Sequence, residues 1–219
     1  MKTVVAAVLD IGKTNKKVSL YDAGFHVLAT ERTVLETDMR DGLEIERTED
    51  LLGWFKQALR SLSETFDIRA ISITTHGATV ALLAEDGSLA YPVISYTSEK
   101  GGEIQDAFYA EFGDRESLHR VTGTADFGFA NLAKPIYYVK TRLPEAWKRC
   151  RHALFYPQYI GYLLTGTLGM EPTYLGNHSY LWDLAQNTWS SVAKGMGVDA
   201  MFPQRLSAPW ECLGHVKPD

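Results

Sequence analysis

Cysteine is scarce in this chain: Cys150 and Cys212 are the only two of 219 residues, far apart and without a C-x-x-C spacing. That excludes a disulfide framework and a thiolate metal site, and leaves free buried thiols as the expectation. The six histidines (His26, His76, His119, His152, His178, His215) show no H-E-x-x-H or comparable ligand spacing, so no protein-bound zinc is expected. Positive charge is also short. Twenty-two Lys and Arg stand against 27 Asp and Glu, a net charge of −5, which argues against a nucleic-acid binder. No apolar run reaches the ~18 residues of a membrane span. The apolar stretch after Lys2 is broken by Asp10 and followed by no cleavage-like site, so no signal peptide is read and a cytoplasmic location is expected. Neither G-x-x-x-x-G-K-[ST] nor G-x-G-x-x-G occurs, which removes P-loop and dinucleotide folds. Internal repeats and low-complexity tracts are absent as well.

What is present is an ordinary globular composition, 45% hydrophobic and 22% charged, long enough for one large domain or two small ones. The most informative stretch is Val4 to Asp22, VVAAVLDIGKTNKKVSLYD. Two apolar runs, 4–11 and 18–21, flank the polar bend Gly12-Lys13-Thr14-Asn15-Lys16, which predicts a strand–turn–strand hairpin. Asp10 at the tip of a buried strand is costly unless something positive lies against it. A glycine-bearing bend with amide groups and lysines around it can seat phosphate oxygens, with Asp10 holding Mg2+ through water. An ordinary hairpin with solvent-facing lysines is the alternative.

The pattern then predicts a third antiparallel strand over 25–35 after the turn Asp22-Ala23-Gly24, and an extended segment over 41–46. An amphipathic helix follows over 48–65, N-capped by Thr48, with Leu51, Leu52, Phe55, Leu59 and Leu62 at helical spacing. Strands are expected over 68–75 and 80–83, then a hairpin at Asp86-Gly87 leading to a strand over 91–95. Helices are read near 102–113, 115–122, 131–142, 144–149, 157–164, 177–184 and 190–196, with a short strand over 153–155 and an irregular end from Pro203. Strands with a crossover helix and a helical half predict α/β architecture with helices on the sheet faces. His76 falls where a buried strand ends, a usual place for ligand contacts in open α/β sheets; a capping role is the alternative.

Asp10-Ile11-Gly12-x-Thr14-Asn15-x-Lys17 resembles the first phosphate motif of the FGGY carbohydrate kinases, with Lys13 where that family usually has threonine. The resemblance continues in order. His76-Gly77 is similar to the family's His-Gly sugar contact. Pro92-x-Ile94-x-Tyr96-x-Ser98-x-Lys100 stands where the family has Pro-x-Ile-x-Trp-x-Asp-x-Arg, with Ser98 for the aspartate. Stretches 41–54, 156–166 and 171–190 resemble the family's first-helix entry, its Leu-Thr-Gly helix and its Leu-x-Asp segment. Within the last, Leu175-Gly176-Asn177-His178-Ser179 resembles a variant of rhamnulokinase- and fuculokinase-like members.

The resemblance implies an actin-like ATPase (ribonuclease H-like) domain, a mixed sheet flanked by helices with a helical insertion. It implies ATP-dependent phosphorylation of a sugar hydroxyl, with ATP and Mg2+ as cofactors and a ketose or polyol as substrate. Asp10, Gly12, Lys13, Thr14, Asn15 and Lys17 would meet phosphate, Asp10 also the metal, and His76, Gly77, Tyr96 and His178 the sugar. Residues 1–213 would form the N-terminal sugar-binding domain and 214–219 the start of a linker to a second domain. No catalytic base is expected in this chain, since the family carries that aspartate in its second domain, so the chain alone should be inactive. A homodimer is left open. A non-catalytic actin-like sensing or interaction module, with Lys13 and Ser98 as marks of lost chemistry, is the alternative, and a phosphatase or ATPase of the same superfamily a third.

Overall fold

The computed structural model describes residues 2–218; Met1, and Asp219 at the end of the expected linker, lie outside the described residues. The chain divides into two compact units, Met1–Asp38 with Arg47–His76, and Met39–Glu46 with Gly77–Asp219. The last chain boundary between them falls between His76 and Gly77.

The first unit is a four-stranded sheet with one helix. Strands β1 (Thr3–Ile11), β2 (Asn15–Tyr21) and β3 (Val27–Val34) form an antiparallel meander, and β6 (Phe66–Thr75) runs parallel to β1 on its other side, giving the order β3-β2-β1-β6. The parallel β1/β6 pair needs a crossover, and α1 (Thr48–Ser63) supplies it. Along β1 alternate residues Val5, Ala7, Leu9 and Ile11 are buried, and Val18 and Leu20 continue that layer on β2. Leu51, Phe55, Ala58 and Leu62 form the buried stripe of α1, which packs on β2 and β6. Helix α1 begins at Thr48, as expected, but Thr48 is not its N-cap. Arg47 is its N-cap because the first i to i+4 bond, Leu51 N–H to Arg47 O (3.0 Å), already spans it, and Thr48 is the first helical residue.

The second unit is mainly helical. Two short pairs open it: β4 (Asp38–Arg40) with β5 (Leu43–Ile45), and β7 (Val80–Leu83) with the later β8 (His152–Phe155), antiparallel. The Asp86-Gly87 turn forms, with Ala84 N–H donating to Ser88 O at 2.8 Å. The strand expected over 91–95 is reduced to single bridges, because Pro92 has no N–H to give a ladder; Val93 O and Ser95 N–H bond to Glu46 N–H and Glu44 O. The expected helix from 102 is split into a 3-10 turn over Glu99–Ile104 and α2 (Gln105–Phe112). A Cβ on Gly101 would stand 2.9 Å from the Phe129 backbone nitrogen, so this close approach requires glycine.

Helices α3 (Arg115–Thr122), α4 (Ala133–Arg142), α5 (Pro144–Trp147) and α6 (Tyr156–Thr165) follow near their expected places. The helix expected over 177–184 does not form. The helix is α7 (Pro172–Leu175), placed by Pro172 at its first position and by Glu171, whose carboxylate caps the N–H groups of Thr173 and Tyr174, both at 2.6 Å. His178 and Tyr180 have φ of 55° and 60°, which no helix accommodates. A small ribbon, β9 (Trp182–Asp183) with β10 (Thr188–Trp189), and α8 (Ser191–Met196) complete the unit. Phe108, Phe129, Leu132, Ile136, Phe155, Tyr180 and Leu181 lie at the centre of its core. Cys150 is buried as expected, and burial pushes its thiol up to about 11, whereas Cys212 is exposed on the irregular end. Among the described residues no helix is long and apolar enough to cross a membrane.

Candidate functional site

The phosphate-motif residues sit where a parallel pair of strands ends. Asp10 is one residue from the end of β1, opposite Thr74 of β6 and Lys17 of β2. Its carboxylate meets Lys17 Nζ at 2.8 Å, and both side chains are partly exposed. The strand tip thus carries the positive partner that its acid requires. His76 follows β6 directly, and its N–H donates to Ile11 O at 2.8 Å, so the histidine is fixed beside the bend. The C-terminal ends of parallel strands are where open α/β sheets take ligands.

The bend itself corrects one expectation. Lys16 does not face outward with the other lysines. It is 2% exposed, and its Nζ donates to the carbonyls of Gly12 (2.9 Å), Lys13 (2.6 Å) and Leu35 (3.2 Å). Gly12 N–H also turns inward, to Asn15 O at 3.0 Å, and a Cβ on Gly12 would lie 3.0 Å from that same oxygen. Gly12 and Lys16 therefore build the bend. Lys13 and Lys17 are partly exposed at its sides, and Thr14 and Asn15 are exposed at its tip.

Replacing Lys16 by Met is expected to destabilise the protein by about 1–3 kcal/mol, because three carbonyls lose a charged donor. The Lys17→Met change should cost less than about 1 kcal/mol, as a partly exposed ion pair contributes little. Urea unfolding of the two variants checks this, and the opposite order of effects would refute the division of labour.

The donor set suits a hard cation only in part. Among the described residues no group of three His, Cys, Asp or Glu is placed to hold a metal ion. A single, partly exposed carboxylate fits Mg2+, which keeps several waters and takes substrate phosphates as its other ligands.

Gly77, Tyr96 and His178 belong to the second unit. Gly77 and His178 come together: a Cβ on Gly77 would touch His178 Cδ2 at 3.7 Å and Asn177 Nδ2 at 4.0 Å. His178 is held by its carbonyl, which accepts from Leu132 N–H at 2.9 Å, and its ring meets that of Phe127 edge to face, centroids 5.7 Å apart. Tyr96 is half-buried in the segment tied to β5 through Ser95 N–H and Glu44 O. Ser98, in the place of the family's aspartate, is buried and accepts from Glu44 N–H at 3.3 Å, and Lys100 pairs with Glu103 at 2.5 Å. Ser98 thus supports the loop from within.

Phe127 and Asn177, which stand against His178 and Gly77, were not singled out from the sequence. Asn177 lay inside the Leu-Gly-Asn-His-Ser stretch, which was its signal. Phe127 gave none, since nothing local marks an aromatic that stays exposed.

A carbohydrate kinase from Novosphingobium aromaticivorans superposes with a TM-score of 0.83 and 26% identity over 95% of this chain and 43% of its own. That likeness defines the class as an actin-like α/β domain of the sugar-kinase type. Residues 5–218 match the N-terminal domain of the FGGY family of carbohydrate kinases, and the chain belongs to that family. It is similar to the L-fuculokinase of Salmonella typhi, 28% identical over 95% of this chain and 45% of that protein. The L-fuculokinase of Escherichia coli K12 is 26% identical over 99% and 47%. The chain therefore spans about half the length of the relatives it matches.

Proposed function

We propose that this chain is the sugar-binding half of an ATP-dependent kinase that phosphorylates a hydroxyl of a ketose or polyol. The observation that carries the reading is the Asp10–Lys17 pair at the end of parallel strands, in a chain that matches the FGGY N-terminal domain over residues 5–218.

In this reading Lys13, Thr14, Asn15 and Lys17 meet the phosphate groups of ATP, over a bend that Gly12 and Lys16 keep in shape. Asp10 would hold Mg2+ through water. The ion, when bound, neutralises charge on the phosphates. His76, Gly77, Tyr96 and His178 orient the sugar so that the reacting hydroxyl lies in line with the phosphoryl group. The base that takes the hydroxyl proton is expected in the second domain, as is the adenosine pocket. The similarity to L-fuculokinases favours a six-carbon ketose.

The test compares the full-length protein with the 219-residue chain, using coupled ADP detection against a panel of ketoses, aldoses and polyols. ATP-dependent phosphorylation of a ketose by the full-length protein and none by the isolated chain is the expected result. Robust turnover by the isolated chain would overturn the placement of the base. A full-length protein that binds a sugar but never phosphorylates one would favour the sensing module.

A further inference from the structure

We propose that the segment from Cys212 to Lys217 is a strap seated on α6, and that Leu213 is a positioning residue that fixes where the chain leaves this domain for the expected second one; this rests on the two-domain sugar-kinase reading above. Among residues 209–218 only Leu213 is not exposed. Its side chain fills a notch between two glycines. A Cβ on Gly169 would stand 2.5 Å from Leu213 Cδ1, and one on Gly161, in α6, 3.1 Å from Leu213 Cδ2. The next residue is close as well, since a Cβ on Gly214 would lie 3.2 Å from Thr167 Oγ1. An otherwise exposed run that places one leucine in a fitted notch is held there by that leucine.

The strap also completes the end of the helix. An α-helix leaves its last carbonyls without intrahelical donors. Here Gly166 N–H takes Tyr162 O at 2.7 Å, and Lys217 N–H takes Leu164 O at 2.8 Å. The Lys217 ammonium lies 5.6 Å from the Tyr162 ring centroid, near the negative end of the helix dipole. Upstream, Ser207 N–H donates to Met170 O at 2.8 Å, so the chain is fixed on both sides of Leu213. At the other end of α6, Tyr156 N–H donates to Thr79 O at 3.0 Å, just beyond Gly77. The ten residues of α6 make a stiff rod of about 15 Å, which ties the strap to the turn after His76. In the two-domain reading, motion between the domains then begins beyond Lys217 rather than at the irregular end from Pro203. A fixed exit limits the orientations from which the second domain can bring its base and ATP to the sugar.

The experiment uses the full-length protein. Leu213→Ala empties the notch, Gly169→Ala fills it, and Leu213→Met keeps its bulk. Deuterium exchange read by mass spectrometry should show lost protection over 210–217 in the first two variants and parent behaviour in the third. Small-angle scattering of the ligand-free protein should give a larger radius of gyration for the first two alone. With the sugar that the parent phosphorylates, their kcat should fall roughly 10-fold while the sugar Kd stays within about twofold. Gly169→Ala combined with Leu213→Ala should fall no further than the worse single variant, because one seat is lost only once. Unchanged exchange in Leu213→Ala and Gly169→Ala would show that Leu213 does not hold the strap. Lost protection with scattering and kcat unchanged would show that the strap positions nothing, and either result overturns the proposal. A parent protein that phosphorylates no sugar would bring down the kinase reading, while exchange and scattering still decide the seat.

Discussion

Asp10→Asn in the full-length protein is expected to lower kcat by roughly 10²–10³-fold while leaving the sugar Kd within about twofold. The reasoning starts from the energetics of the pair. Asp10 and Lys17 meet at 2.8 Å with side chains 43% and 35% exposed. Pairs that open to water contribute at most about 1 kcal/mol to stability, so the neutral amide, similar in size, should unfold close to the parent. A large loss of turnover in a folded variant then reports on chemistry. If the carboxylate holds Mg2+ against the phosphates, its loss removes an interaction that strengthens as charge spreads in the transition state, and kcat falls with the sugar Kd unmoved. The variant should also need more Mg2+ to reach its own maximum. Turnover within twofold of parent, at equal stability, would take Asp10 out of the mechanism.

Much of the first unit was legible because its signals are local. Alternation along β1 and β2, the turn residues between them and the 3.6-residue stripe of α1 each specify one element, and all three agree. The hairpin around Asp10 was readable for the same reason. Lys16 was not, because strand alternation places a side chain on a face but does not show that a lysine can be buried when three carbonyls converge on it. In the second unit α3 was read to the residue, since Asp114 caps it and Gly123 ends it in the left-handed region. The helix misplaced onto 177–184 shows the limit. His178 and Tyr180 are held in positive φ by backbone bonds to residues 132–133 and by Ser190 Oγ on Tyr180 O. Those partners are distant in sequence, so no local pattern announces them. Gly77, Phe127 and His178 meet for the same long-range reason, and a scan along the chain finds them separately.

The same limit hid a lysine in the core. Lys134 lies in the apolar run of α4, is 0% exposed, and would be forbidding there without partners. It has them: Nζ donates to Gln105 Oε1 at 2.7 Å, to Tyr109 Oη at 3.0 Å and to the Asp126 carboxylate, and it lies 4.8 Å from the Tyr109 ring centroid. Arg115 holds the other Asp126 oxygen at 2.8 Å. Burial alone would raise the Asp126 carboxyl, but hydrogen bonds from Lys134, Arg115 and Tyr109 outweigh it and hold the group at about 2, against an ordinary 3.8. A folded value below the unfolded one means stability that is present above about pH 4 and lost as pH falls through about 2, worth about 2–3 kcal/mol.

Asp126→Ala should therefore cost about 3–5 kcal/mol at neutral pH, since it strands a buried ammonium. Lys134→Met should cost less, because Asp126 keeps Arg115 and some access to water. Acid unfolding of Asp126→Ala should lack the loss that the parent shows between pH 4 and 2. Equal stability of parent and Asp126→Ala, with equal slopes below pH 4, would show that the network is held by packing alone and that its charges are incidental.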